Sequence, residues 1–397
     1  MTVRGIIMVK QSLFVALLTA VSVLVSAEEI RPPLAVEPTG IIETLPERYP
    51  ADWFLVHDAA FFHMSDGKVV VLDTTKDSVG EQVQGMFPVS LMGTFIEAQS
   101  RGEILAIETF HTRGTRGDRI DVLTIWDTVN LSAVGEVILP AGKRFMGMPE
   151  RVALQLLKDD RWLAVFNLSP STSVTLVDLD TRAVMGEIPI PGCSFIYANG
   201  DMGLSALCAD GRMLTVVLND DGSEKSRVMS EVFFDSDESP IFERPAVVDN
   251  IAYFPAFDGR VQPVAMTGSA ALPMASWPLY SKGEEAWAPS GIGIDGEDDL
   301  GRIYFLMNAE ANGVDGMHNA GGSEVWVFDP EARRRVLRIP LEAWGLSLAV
   351  SRGEEPKVLV TNPTDMSVEL YDGLTGSFIK NITGFGQETP LLLRGAQ

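Results

Sequence analysis

The chain has 397 residues, with 54 acidic against 31 basic side chains and a net charge of −23. So acidic a surface repels phosphate backbones, which excludes nucleic acid as a partner class and favours cationic ligands. With two cysteines and four histidines the sequence holds little material for a metal cluster.

Arg4 and Lys10 precede an uncharged apolar run, Gln11 to Ala27, that ends in Val25-Ser26-Ala27. Small residues at the last and third-last positions fit a cleaved signal peptide over residues 1–27. An uncleaved anchor is the rival, but the run is short for about 30 Å of hydrocarbon and rich in Ser, Thr and Ala. Cleavage takes two basic residues and no acidic ones from the totals of 31 and 54, leaving −25 in a chain expected in the periplasm. Residues 28–50, rich in Pro and Glu, read as a lead-in arm. No later segment is long and apolar enough to span a bilayer.

From residue 51 to 397 one phrase recurs: an alternating apolar run ending in Asp or Asn, a polar turn, then a second alternating run. It reads Val69–Asp73 with Ser78–Val83, Val122–Asp127 with Val134–Ile138, and Val174–Asp178 with Val184–Ile188. A looser copy is Leu214–Asn219, and the weakest is Gly259–Val264. Clear copies return at Val325–Asp329 and at Val368–Asp372 with Thr375–Ile379. Period-two alternation with Asp/Gly/Asn turns predicts hairpins, and seven copies near 40–50 residues apart predict a seven-bladed β-propeller of four-stranded antiparallel blades. Trp162–Phe166, Ile251–Phe254, Ile303–Leu306 and Val358–Val360 supply earlier strands.

Cys193 and Cys208, an isolated pair in an oxidising compartment, are expected to form a disulfide between neighbouring strands. No HExxH, Cys/His cluster, nucleophile elbow, P-loop or dinucleotide turn is present. His57 and His63 flank Asp58 and could approach one another, though hydrogen-bonded strand or loop roles fit them better. The acidic runs Glu297-Asp298-Asp299 and Asp235-Ser-Asp237-Glu238 read as solvated loop tips, and Arg333-Arg334-Arg335 as a solvated hairpin. No catalytic residue, bound cofactor or metal site is therefore expected in this chain.

Several stretches resemble the heavy subunits of tryptophan tryptophylquinone amine dehydrogenases, the methylamine and aromatic amine enzymes. They are Thr109–Asp121, which carries Arg-Gly-x-Arg-x-Asp before a strand, Asn167–Asp178, Cys193 with Cys208-x-Asp-Gly211, Trp287–Gly291, and Glu324–Asp329 after Gly321-Gly322. The likeness runs in order from about residue 52 to the C-terminus. It implies a propeller that does not carry the redox group. The quinone would lie on a separate disulfide-rich light subunit within a heterotetramer, a primary amine would be oxidised to aldehyde and ammonia, and electrons would leave to a small blue copper protein. It also implies a substrate channel near Gly85-Met86: the family's channel Phe matches Leu91, followed by Met92, with Phe87 nearby, and a Leu would leave more room for substrate. The alternative is a stand-alone periplasmic propeller acting as a binding or scaffolding module. A light-subunit partner requires an exposed apolar patch, and a free-standing scaffold does not.

Overall fold

The computed structural model describes residues 44–59, 67–90 and 92–396. The expected signal peptide, most of the lead-in arm, His63 and Leu91 lie outside the described residues. The end of the arm packs on the ring. Leu45 donates its backbone N–H to Val129 at 2.9 Å, and the Tyr49 hydroxyl donates to the Thr128 carbonyl at 2.6 Å.

Seven antiparallel sheets follow one another along the chain as the blades of a β-propeller. Blade 2 shows the plan: Thr94–Ala98, Glu103–Arg113, Arg116–Asp127 and Ala133–Ile138 pair in that order, from the axis outward. Blade 6 splits its inner position between Ala288–Pro289 and Asp295–Glu297, both paired with Ile303–Asn308. Blade 1 is completed by the end of the chain. Thr389–Gly395 supplies its inner strand and pairs with Trp53–Ala59, Leu55 opposite Arg394. Closing the ring this way leaves the inner sheet edges short and facing the axis.

The first run of each of the seven recurring phrases is the third strand of one blade. The acidic residue that ends the third strand has a physical task there. Asp127 Oδ1 accepts the N–H groups of Val129 and Asn130 at 3.0 and 2.7 Å, and Asp372 Oδ1 those of Leu374 and Thr375 at 3.0 and 2.9 Å. Asp73, Asp178 and Asp329 hold their hairpins in the same way. A carboxylate is short enough to satisfy the turn's own donors, which is why the phrase repeats. One expected strand differs. Ser78–Val83 is not a strand: Val79–Gln82 forms one helical turn, and the outer strand runs Val83–Pro88.

The second and third strands are buried on both faces, as in Trp162–Asn167 and Ser173–Asp178, because blades stack against each other. Leu105 and Ile125 of blade 2 meet Leu163 and Val177 of blade 3; Leu359 and Leu370 of blade 7 meet Phe54 and Val70 of blade 1. Each such side chain contributes roughly 1.5–3 kcal/mol by leaving water. Outer strands such as Ala183–Pro189 are mostly exposed, so they keep the polar alternation.

Cys193 and Cys208 form the expected disulfide, directly opposite one another in strands Cys193–Ala198 and Gly203–Cys208 of blade 4. Closing a 15-residue separation restricts the unfolded chain. Replacing both cysteines by Ser is expected to cost about 3 kcal/mol, read as a lower urea midpoint for the double variant.

Candidate partner-binding face and inter-blade cleft

In a four-stranded meander, the loops from second to third strand and the connections between blades all emerge at one end of the ring. Here several apolar side chains are exposed on that end among charged ones. Phe110 and Ile120, cross-strand partners on the long hairpin of blade 2, are 44% and 43% exposed. Leu168, Val232, Val314 and Met366 are exposed on loops of the same end. The opposite end is built from charged turns such as Lys158-Asp-Asp-Arg161, Asn219-Asp-Asp-Gly222 and Arg352-Gly-Glu-Glu355. Val79, Leu300 and Leu374 are exposed at the opposite end too, but the projecting hairpin with Phe110 and Ile120 makes the first end the candidate interaction surface.

A cleft of about 500 Å³ opens on the same end between blades 1 and 2. Asp58, Glu108, Glu136 and Glu388 bring carboxylates to it, Lys68 a cation, and Phe110 and Trp126 aromatic faces. Glu108 is buried: Oε1 accepts the Ser90 N–H at 2.7 Å, Oε2 accepts the Thr124 hydroxyl, and burial pushes its pKa up. Asp58 is buried too and accepts the N–H groups of Gln387 and Glu388 at 2.8 and 2.9 Å, which fixes the connection that closes the ring.

The segment Arg116-Gly-Asp-Arg119-Ile-Asp121 roots the blade 2 hairpin. Fully buried Asp121 accepts from Thr109 at 2.6 Å, from Arg119 at 2.8 Å and from the Gly142 N–H at 2.8 Å. Arg144 stands 3.7 Å from the same carboxylate, its pKa lowered to about 10 by burial. The motif is thus architectural: it ties the projecting hairpin to the connection between blades 2 and 3. The motifs of blade 6 likewise meet. Trp287 and Trp326 lie 5.0 Å apart, and Arg338 covers both at 5.2 and 5.1 Å while pairing with Glu324 and Glu284.

Of the expected channel residues, Phe87 is wholly buried, packed between Phe95 and Trp126, and is a core residue because the outer strand of blade 1 turns it toward blade 2. Met92 is half-buried with φ 52°, in the connection between blades 1 and 2 beside the cleft-lining Ser90. Two other expectations are corrected. Asp298 is not a solvated tip: it is buried, held by Arg302 and the Tyr304 hydroxyl, each at 2.7 Å. Arg335 is not a solvated hairpin residue, since it pairs with Glu284 and lies 4.1 Å over the Trp326 ring. His57 sits on a buried strand, but its Nδ1 has no hydrogen-bond partner among the described residues.

Burial lowers the His57 pKa to about 4 from the ordinary 6.5, against the pull of Asp58. A histidine depressed on folding stabilises fully above its unfolded pKa, and that stability is lost as pH falls from about 6.5 towards 4. Between pH 7.5 and pH 5 the predicted loss is about 2 kcal/mol, absent in His57→Phe. Urea unfolding at pH 5 and pH 7.5 measures it; parallel pH slopes in the two proteins contradict it. Among the described residues no group of three or more His, Cys, Asp or Glu could hold a metal ion.

The model of the methylamine dehydrogenase heavy chain family matches residues 51–394, nearly the whole ring. The chain belongs to that family. The heavy chain of Methylophilus methylotrophus is 24% identical over 343 residues, covering 85% of this chain and 82% of the relative. That of Paracoccus versutus is 23% identical over 339 residues, covering 84% and 76%. Among solved structures, a putative 6-phosphogluconolactonase of Bacteroides fragilis superposes with TM-score 0.56 at 12% identity, over 90% of this chain and 99% of the other. The dihydro-heme d1 dehydrogenase NirN gives 0.53 at 14% identity, over 90% and 72%. At such identities the likeness is one of fold alone. Sequence reasoning missed Glu108, whose only signal is an acid inside the apolar run Ile104–Thr109, and Arg144, which carries no local signal.

Proposed function

We propose that this chain is the heavy subunit of an exported quinoprotein amine dehydrogenase that oxidises a primary amine to aldehyde and ammonia. The observation that carries the reading is the family match along the ring, joined to the exposed apolar pair Phe110 and Ile120 on a projecting hairpin that a partner could cover. The tryptophylquinone would reside on a light subunit docked there, with a blue copper protein as electron acceptor. The tryptophans of this chain suit walls better than a redox group, because Trp53, Trp162, Trp277 and Trp326 are buried and Trp287 is held in the stack with Arg338. When bound, the quinone supplies the electrophile and the electron sink. This chain supplies the approach. The cleft carboxylates attract an ammonium group, and Phe110 and Trp126 offer it aromatic faces.

Immunodepletion of this chain from a periplasmic extract should remove amine-dependent dye reduction together with ammonia release; activity left in the depleted extract would overturn the assignment. Leu91→Phe should shift the kcat/KM ratio between small and bulky amines in the assembled enzyme, and unchanged ratios would take residues 86–92 out of the substrate path.

A further inference from the structure

The first strands of the blades line the axis, and charged side chains meet there. Arg151, entering blade 3, pairs with Asp295 of blade 6 at 2.6 Å. Those blades stand on opposite sides of the ring, so the contact spans the central channel. Beside it lies a polar cavity of about 80 Å³ lined by Arg151, Glu297, Arg352 and Arg394. Arg151 has Asp295, and Arg352 has Asp299 at 3.3 Å. Arg394 has no carboxylate at ion-pair distance among the described residues. Its Nη2 reaches only the Arg151 carbonyl, at 3.5 Å, and its Nε is shut from solvent with no acceptor.

We infer that this axial cavity binds a small carboxylate-class monoanion between Arg394, Arg151 and Arg352. A guanidinium Nε shut from solvent without an acceptor is costly, and an anion removes the cost. The Arg394 guanidinium lies 5.7 Å from the Phe95 ring centroid, and its unpartnered Nε is the donor left for a carboxylate oxygen. Burial, and then Arg151, lower the Arg394 pKa to about 9, so the group is still charged at neutral pH. The cavity equals the liquid share of roughly two to three waters, the size of formate or acetate. Glu97, Asp295 and Glu297 also act on Arg394, and their field opposes a dianion more strongly than a monoanion. Burial and Asp295 push the Glu297 pKa up, towards the form that donates a hydrogen bond.

The test is calorimetric titration and thermal unfolding of the full chain with sodium acetate, and with sodium sulfate at equal ionic strength. Acetate is expected to bind saturably and raise the Tm, sulfate to do neither, and Arg394→Gln to weaken acetate binding at least tenfold. Equal effects of acetate and sulfate, or unchanged acetate affinity in Arg394→Gln, overturn the site. Should that variant fail to fold, Arg352→Gln decides: weaker acetate binding supports the cavity, and wild-type affinity overturns it.

Discussion

Phe110→Glu combined with Ile120→Lys should separate this chain from its partner while leaving the ring intact. Both side chains are exposed on the projecting hairpin and face no core. Their replacement is therefore expected to leave the Tm within about 1 °C of the parent. One apolar anchor at the centre of an interface is worth about 2 kcal/mol or more, roughly 30-fold in affinity, so the double variant should lose at least that much affinity for the proposed light subunit. Co-purification and titration of the separated subunits measure this. A variant that retains the small subunit at parental affinity would move the docking surface off this end of the ring.

Arg244→Ala is expected to be the most destabilising single change, at about 3–5 kcal/mol. Arg244 makes a two-pronged pair with Glu150 at 2.9 and 2.5 Å, with side chains only 13% and 4% exposed. The Glu150 carbonyl also accepts the Thr94 hydroxyl at 3.0 Å, so the pair joins the inner strand of blade 2 to the entries of blades 3 and 5. Burial pushes the Glu150 pKa up and Arg244 opposes it, so removing Arg244 raises it further. A carboxyl whose folded pKa exceeds its unfolded value destabilises increasingly as pH rises between the two. The penalty should be largest at neutral pH and shrink near pH 4, where the orphaned carboxyl is protonated in both states. Denaturant unfolding of Arg244→Ala and Arg244→Met/Glu150→Leu checks the account: the double variant should recover much of the loss, and equal losses would point to a cause other than the stranded charge.

The architecture was legible because its signals are local. Asp127 and Asp372 announce hairpins by binding donors two and three residues onward, so the phrase survives in sequence as a pattern. The helical turn Val79–Gln82 was hidden for the opposite reason: its alternation satisfies a strand as well as a short turn. Ring closure by Thr389–Gly395 left no mark, since any apolar strand at the end of the chain reads alike. The site was less legible. Arg151 and Asp295 are 144 residues apart, and Arg244 and Glu150 94 apart, so nothing in either neighbourhood reveals its partner. Asp298 and Arg335 read as surface residues because charge alone suggests solvent, whereas Tyr304 and Trp326 supply the walls that bury or cover them. Phe87 lies close to Leu91 and Met92 in sequence, but alternation along its strand turns it inward.

The most direct test of the subunit assignment is purification of this chain from its native compartment under mild conditions, followed by a redox-cycling quinone stain of the denatured gel. The account predicts a small quinone-positive chain in equal amount beside this quinone-negative one. A lone chain, or a stoichiometric partner that does not stain, would contradict it and leave a propeller scaffold without amine chemistry.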